Sequence, residues 1–199
     1  MSQIKLKHSG GNGVIIAAPT SNPASDRTIT LPSDADGTLA RTLDVAFKSY
    51  AVISDHKSSG TASGNFVSGD WRTRDLNTED LDADGIVSIS SNQFTLQAGT
   101  YLIKWVCPAY GRSQHQSRLR NITDSTSFTG TSTYADYNSN VVNTSIGAAR
   151  FTISGAKVFE LQHRCAQSIT NNGGFGLRVG ADFTTDYEMY AMCEIYKEV

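Results

Sequence analysis

NQFTLQAGTYLIKWVCPAYG, running from Asn92 to Gly111, is the stretch on which the reading of this chain turns. Asn92 to Leu96 reads as a short half-buried strand, Gln97-Ala98-Gly99 as a turn, and Tyr101 to Cys107 as a long apolar run. Side chains alternate across a strand, so Tyr101, Ile103, Trp105 and Cys107 share one apolar or sulfur-bearing face. Leu102, Lys104 and Val106 fall on the other, which has a charge at its middle. Gly99, successive β-formers and Pro108 all oppose a helix here. The pattern predicts a central strand of a sandwich.

The composition agrees. Of 199 residues, 39% are hydrophobic and 18% charged, with 17 Gly and abundant Ser, Thr and Asn. Such usage favours an all-β protein with many turns, and the length fits one domain of ordinary size plus an accessory segment. A net charge of -2 supplies no global field for nucleic acid or lipid. No run approaches the roughly 20 apolar residues of a membrane span, and no charged-then-apolar secretory signal follows Met1. The expectation is a soluble chain made in a cytosol, with no nucleic-acid partner and no membrane insertion. Cys107, Cys165 and Cys193 lie far apart inside strand-like runs, without a CxxC or CxxH spacing. They read as buried thiols, neither a disulfide framework nor a zinc site.

Met1 to Ala40 has a different character. Ile4 to His8 alternates, Gly10-Gly11-Asn12-Gly13 turns, and Val14-Ile15-Ile16-Ala17 is apolar. Thr28-Ile29-Thr30-Leu31 is another short strand, and three of the chain's 4 prolines, Pro19, Pro23 and Pro32, punctuate the segment. A leader of about forty residues cannot bury a useful core alone. Residues 1–41 are therefore expected to be an arm that pairs with copies of itself or docks on another protein through Val14, Ile15, Ile16, Ile29 and Leu31. An arm folded back on its own domain is the alternative. Within it, ITLPSDADGTLA resembles a segment that recurs in bacteriophage tail-fibre and related virion proteins. KLKHSGGNGVIIAAP, followed by SNPASDRTITLP, is similar to an N-terminal module of structural proteins from marine, often cyanobacterium-infecting, phages. That resemblance implies membership of a virion, made in the host bacterial cytoplasm.

After a connector over Arg41 to Val45, residues 46–199 read as the second module. Ala46 to Ile53 is a strand; Asp55 to Asp70 a loop or a pair of poor strands; Trp71 to Thr78 an ordered stretch; Glu79 to Gly85 an acidic turn; Ile86 to Ile89 a strand. His115 to Thr123 alternates, Asp124 to Asn140 is a long polar loop or strand-loop-strand, and Thr144 to Ile153 and Lys157 to Ala166 are two more strands. Phe175 to Val179 follows the Asn171 to Gly174 turn. Tyr187 to Tyr196 ends the chain with Tyr187, Met189, Ala191, Cys193 and Ile195 assigned to one side. Roughly ten short strands with no helical period mean a sandwich. The order of Leu76-Asn77-Thr78, Ser90 to Tyr101, His115 to Asp124 and Tyr190 to Tyr196 resembles the globular head of the first complement component and the tumour-necrosis-factor family, in a virus-borne branch. The resemblance implies a jelly-roll sandwich of roughly ten strands that assembles as a homotrimer. The collagen-like stalk that usually precedes such a head is replaced here by Met1 to Ala40.

Motifs for chemistry are sparse. Asp80, Asp82, Asp84 and Gly85 match the first half of a calcium loop, but Ser91 stands where the bidentate Glu belongs, so no EF-hand is expected. No cofactor is expected, calcium on this acidic turn being the one weak candidate. His8, His56, His115 and His163 read as surface or locally hydrogen-bonded imidazoles. No catalytic motif is present, and an enzyme is not expected. Tyr110, Arg112, Arg118, Arg120, Tyr134 and Tyr137, with Arg164, form a candidate glycan or partner surface, because aromatic faces stack on sugars and guanidinium groups bond hydroxyls and anions. Alternatively the arginines pair across subunits with Glu160, Asp136 or Glu188 and the tyrosines pack a trimer.

Two functions follow as expectations. One is a short trimeric tail fibre or tip, its arm on the particle and its head on a host surface polysaccharide. The other is a capsid decoration or knob protein that stabilises the particle without a receptor. A sugar-binding protein outside any virion is a third and lesser reading.

Overall fold

A computed structural model of the chain describes residues 3–7, 9–11, 13–17, 47–111, 113–135, 141–179 and 186–198. It divides into two compact units, Met1–Leu39 and Ala40–Val199. In the first, β1 (Gln3–Lys7) and β2 (Gly13–Ala17) form an antiparallel hairpin, Gln3 opposite Ala17 and Lys7 opposite Gly13. Gly11 sits at φ 99 in the connection, a left-handed conformation that glycine adopts without a Cβ penalty. Val14, Ile15 and Ile16 lie on β2. Ile29 and Leu31 lie outside the described residues.

The second unit is an antiparallel jelly-roll sandwich with no helix among the described residues. Its strands are β3 (Phe47–Ser58), β4 (Arg72–Thr73), β5 (Thr78–Asp82), β6 (Val87–Ser90), β7 (Gln93–Leu96), β8 (Gly99–Tyr110), β9 (Ser113–Asn121), β10 (Thr126–Ala135), β11 (Val142–Ile153), β12 (Lys157–Cys165) and β13 (Tyr187–Glu198). One sheet runs β10-β9-β12-β7-β6, with β4 also on β12; the other runs β11-β8-β13-β3-β5. The strand predicted from Tyr101 to Cys107 is the middle of β8, between β11 and β13. Tyr101, Ile103, Trp105 and Cys107 are buried, whereas Leu102, Lys104 and Val106 face outward. Their inward face meets Phe94, Leu96, Leu119, Phe159 and Leu161 of the opposite sheet in one apolar core. Pro108 is tolerated within β8 because the β8–β13 pairing ends at Val106–Met192, leaving no ladder bond on that side for its missing N–H.

Three local expectations are corrected. β3 continues to Ser58, through what reads as loop, because β13 pairs with it as far as Tyr187–Ser58. The acidic segment expected as a turn forms β5, pairing with β3 at Ala51–Asp82 and Ser54–Thr78. Its poor β-formers are accommodated at a sheet edge, where charge discourages further pairing. Phe175 to Val179, to which the sequence assigns no element, is irregular, since its backbone is drawn to side-chain partners described below. Finally, β13 does not hold one alternation: an extra residue between Met189 and Met192 shifts its register on β3. Tyr187 and Met189 are therefore exposed, while Glu188 and Tyr190 turn inward and Ala191, Cys193 and Ile195 return to the core.

The open edges β10 and β11 of the two sheets are tied together. Ser145 Oγ donates to Thr131 O at 2.6 Å, the Ile146 N–H to Thr131 Oγ1 at 3.0 Å, and Asn143 Nδ2 to Tyr134 O at 2.9 Å.

Candidate functional site

β9 alternates as its sequence predicts. His115, Ser117, Leu119 and Asn121 are buried, and Gln114, Gln116, Arg118 and Arg120 point outward. Cross-strand partners share a face, so Tyr134 opposite Gln114, Gln162 opposite Arg118 and Arg164 opposite Gln116 join them on the outer face of the β10-β9-β12 sheet. Arg118, Arg120, Tyr134 and Arg164 are thus brought to one surface. Tyr110 is not: it ends β8 in the other sheet, opposite Val142. Arg112 and Tyr137 lie outside the described residues.

Arg118 and Arg120 are anchored within the chain. Arg118 Nε donates to Gln162 Oε1 at 2.6 Å, and its guanidinium carbon lies 4.0 Å from the ring centre of Trp71. Arg120 Nη1 donates to Ser125 O at 2.7 Å and to Ser127 Oγ. Glu160, opposite Arg120, accepts from Gln93 Nε2 and Gln162 Nε2, and Glu188 accepts from the N–H groups of Gly60 and Val179.

A groove of about 600 Å³ opens on this face, lined by Trp71, Gln114, His115, Gln116, Ser132 and Arg164 among others. It lies within the range of small-ligand sites. In the sequence Trp71 is only the start of an ordered stretch; its place beside Arg118 follows from the fold, since β4 docks on β12 at Arg72–His163 and Thr73–Gln162.

Beneath the groove lies a buried polar cluster. His115 Nδ1 and His163 Nε2 are 2.9 Å apart, and the His163 ring packs against Phe66 and Phe175. Arg74, fully buried, donates from Nη1 to Pro108 O at 2.9 Å and from Nη2 to Phe175 O at 3.0 Å, with its guanidinium 4.3 Å from the Phe175 ring centre. These bonds hold the 175 region in an irregular path. Burial, and then the Arg74 charge, depress both imidazoles: His115 falls to about 4, and His163 lies well below the ordinary histidine value. Both rings are neutral near pH 7. Nothing in WRTRD marks Arg74, rather than Arg72, for this role.

The acidic turn serves the backbone. Asp82 accepts from the N–H groups of Ile86 and Val87, each at 2.9 Å, and Gly85 closes the turn at φ 63. Asp80 accepts from Ser54 Oγ and sits 3.0 Å from His56 Nε2, whose ring stacks on Tyr187. The two carboxylates take different partners, and no group of three metal-ligating side chains converges among the described residues. Cys107, Cys165 and Cys193 are free and buried, and burial raises the Cys107 and Cys165 thiols to about 11.

The outer face of the other sheet has the opposite chemistry. Its cross-strand rows are Ile146–Val106–Met192, Ala148–Lys104–Glu194–Val52–Leu81 and Arg150–Leu102–Tyr196–Tyr50. Ile146 is 51% exposed, Val142 47% and Leu81 46%. Val106, Ile146 and Met192 line a recess of about 440 Å³.

No protein-family model matches the chain, and no curated protein matches it in sequence. Solved structures with similar jelly-roll folds include the globular domain of zebrafish complement 1qA (12% identity, TM-score 0.47, covering 75% of this chain and 97% of that one). Murine APRIL has 9% identity and a TM-score of 0.46, over 75% of this chain and 98% of its own. The vertex protein P5 of phage PRD1 has 12% identity and a TM-score of 0.46, over 78% and 100%. These are likenesses of fold.

Proposed function

We propose that this protein is a structural component of a bacteriophage virion of the marine, cyanobacterium-infecting kind: a short homotrimeric tail fibre or tip whose head binds a host surface glycan. The observation that carries the reading is the opposite chemistry of the head's two outer faces. One carries two largely apolar rows, Ile146–Val106–Met192 and Leu102–Tyr196–Tyr50, flanking a row that holds Lys104 and Glu194. Its burial between copies supplies the hydrophobic driving force for self-association. The other gathers Trp71, Arg118, Arg164 and side-chain amides around a groove, the groups that stack on sugars and bond their hydroxyls. The leader, carrying Val14, Ile15 and Ile16 in its hairpin and Ile29 and Leu31 further on, is read as the particle anchor from its resemblance to virion modules. The role is one of binding, without catalysis and without a cofactor.

Light scattering of the purified chain tests the trimer, and a monomer defeats it. A whole-cell binding assay with the head tests the receptor role, which falls if no susceptible host is bound. Microscopy of labelled particles separates a tail position from capsid decoration.

A further inference from the structure

We infer that the groove over His115 is a subsite for a carboxylate-bearing sugar of a polysaccharide, with Arg164 taking the carboxylate and Trp71 the apolar face of the ring. The inference rests on the glycan-binding role proposed above and narrows it to one place and one ligand class.

Charge selects the class. Arg164 is exposed at the rim and makes no ion pair or hydrogen bond among the described residues. No carboxylate lines the groove. The nearby carboxylates, Glu160 and Asp70, lie outside the lining and act on Arg118 instead; Glu160 accepts from Gln93 and Gln162, and Asp70 from the Trp71 N–H at 2.7 Å. A free guanidinium beside a cavity without anions binds a planar carboxylate by paired N–H bonds.

Hydroxyl-directed groups line the rest. Gln116 Nε2 donates to Gly130 O at 3.1 Å and Ser132 Oγ at 2.9 Å, which fixes the amide and leaves its carbonyl oxygen without a partner among the described residues. The Gln114 side chain makes no hydrogen bond among them either. At the floor, His115 is 5% exposed, and its Nε2 has no partner although Nδ1 is taken by His163. That nitrogen is itself buried, so the ring shapes the floor and the hydroxyl partners are the amides above it. Arg118 stacked on Trp71 holds the indole in place at the groove wall.

The test uses the full chain and titrates it with oligogalacturonate, following tryptophan fluorescence. The chain has 2 tryptophans, and Trp105 is buried in the core, so a change reports Trp71. A neutral maltooligosaccharide of equal length is the control, and a sulfated oligosaccharide separates carboxylate from any anion. We expect oligogalacturonate to bind more tightly than both, Arg164→Gln to weaken binding about tenfold, and Trp71→Ala, which removes the reporter and is therefore followed by titration calorimetry, to abolish it. Arg178→Gln, whose guanidinium donates to Gly60 O away from the groove lining, should change nothing. Thermal melts verify that each variant is folded. Equal affinity for neutral and acidic oligosaccharides, no binding of the acidic one, or unchanged binding by Arg164→Gln overturns the inference. If Trp71→Ala and Arg164→Gln still bind host cells as the parent does, the groove is wrong and the receptor role stands. If the parent binds no cells, the receptor role itself fails.

Discussion

Gly147 on β11 lies directly against the indole of Trp105 on β8: a Cβ at that position would fall 2.0 Å from Trp105 Cζ2. No methyl fits there unless the ring or the strand moves. Trp105 is 1% exposed and packed in the core, so seating the methyl means displacing a packed ring or the strand.

Gly147→Ala is therefore expected to destabilise the head by about 2 to 3 kcal/mol, the usual range for overpacking a tight core. Gly155 is the matched control, with nothing within 4 Å of its added Cβ, and Gly155→Ala should stay within about 0.5 kcal/mol. Urea midpoints at constant slope measure both. Equal losses in the two variants would refute this account of Trp105.

Trp105 also anchors a polar chain through the interior. Its Nε1 donates to Ser117 Oγ at 2.9 Å, and Ser117 Oγ lies 2.7 Å from Ser145 Oγ. The bond joins the two sheets across the core. Ser117→Ala leaves a buried indole N–H without its partner, at about 1 to 3 kcal/mol. In a Trp105→Phe background the same change should cost less, since only the Ser117–Ser145 bond is then lost. A double-mutant cycle reads the coupling, and strictly additive losses would contradict the bond's role.

Acid should loosen the end of the sandwich that holds His115 and His163. Their folded pKa values lie below the ordinary 6.5, with His115 at about 4. As pH falls from 6.5 toward 4, the unfolded chain binds protons that the folded chain refuses, so stability declines across that window and is fully present above it. Protonation would also place a second cation beside Arg74, which is already buried. Melting temperature should fall by several degrees over this range. A chain carrying both His115→Gln and His163→Asn should show a flatter profile. An unchanged pH profile in that chain would remove the histidines as the cause.

The outer face of the β11-β8-β13-β3-β5 sheet is expected to hold copies together. Ile146 is 51% exposed in one chain, so Ile146→Asp should leave the fold intact, with an unchanged circular dichroism spectrum. A charge there must be desolvated on association, at several kcal/mol when unpaired. Light scattering should show the mass fall from trimer to monomer. Retention of the parental mass by Ile146→Asp would exclude this face.

Local alternation made much of the sandwich legible. The inward set of β8 and the outward row of Arg118 and Arg120 follow from period two, because each side chain's direction depends only on its neighbours in the chain. The same rule failed on β13, where one extra residue between Met189 and Met192 reverses the faces. A bulge is set by what the partner strand offers, and no pattern within β13 announces it. β5 likewise exists because β3 presents an unpaired edge, against the preference of its own acidic residues.

The sequence by itself determined the class of fold, the central strand and the outward arginines, all properties of short-range periodicity and turn chemistry. Only the tertiary structure decided that Trp71 meets Arg118, that His115 meets His163, that Arg74 is buried under Phe175, and that Tyr110 stands apart from Tyr134. Those pairs come from strands distant along the chain, and their meeting is set by the order of strands in each sheet, which a one-dimensional pattern does not encode.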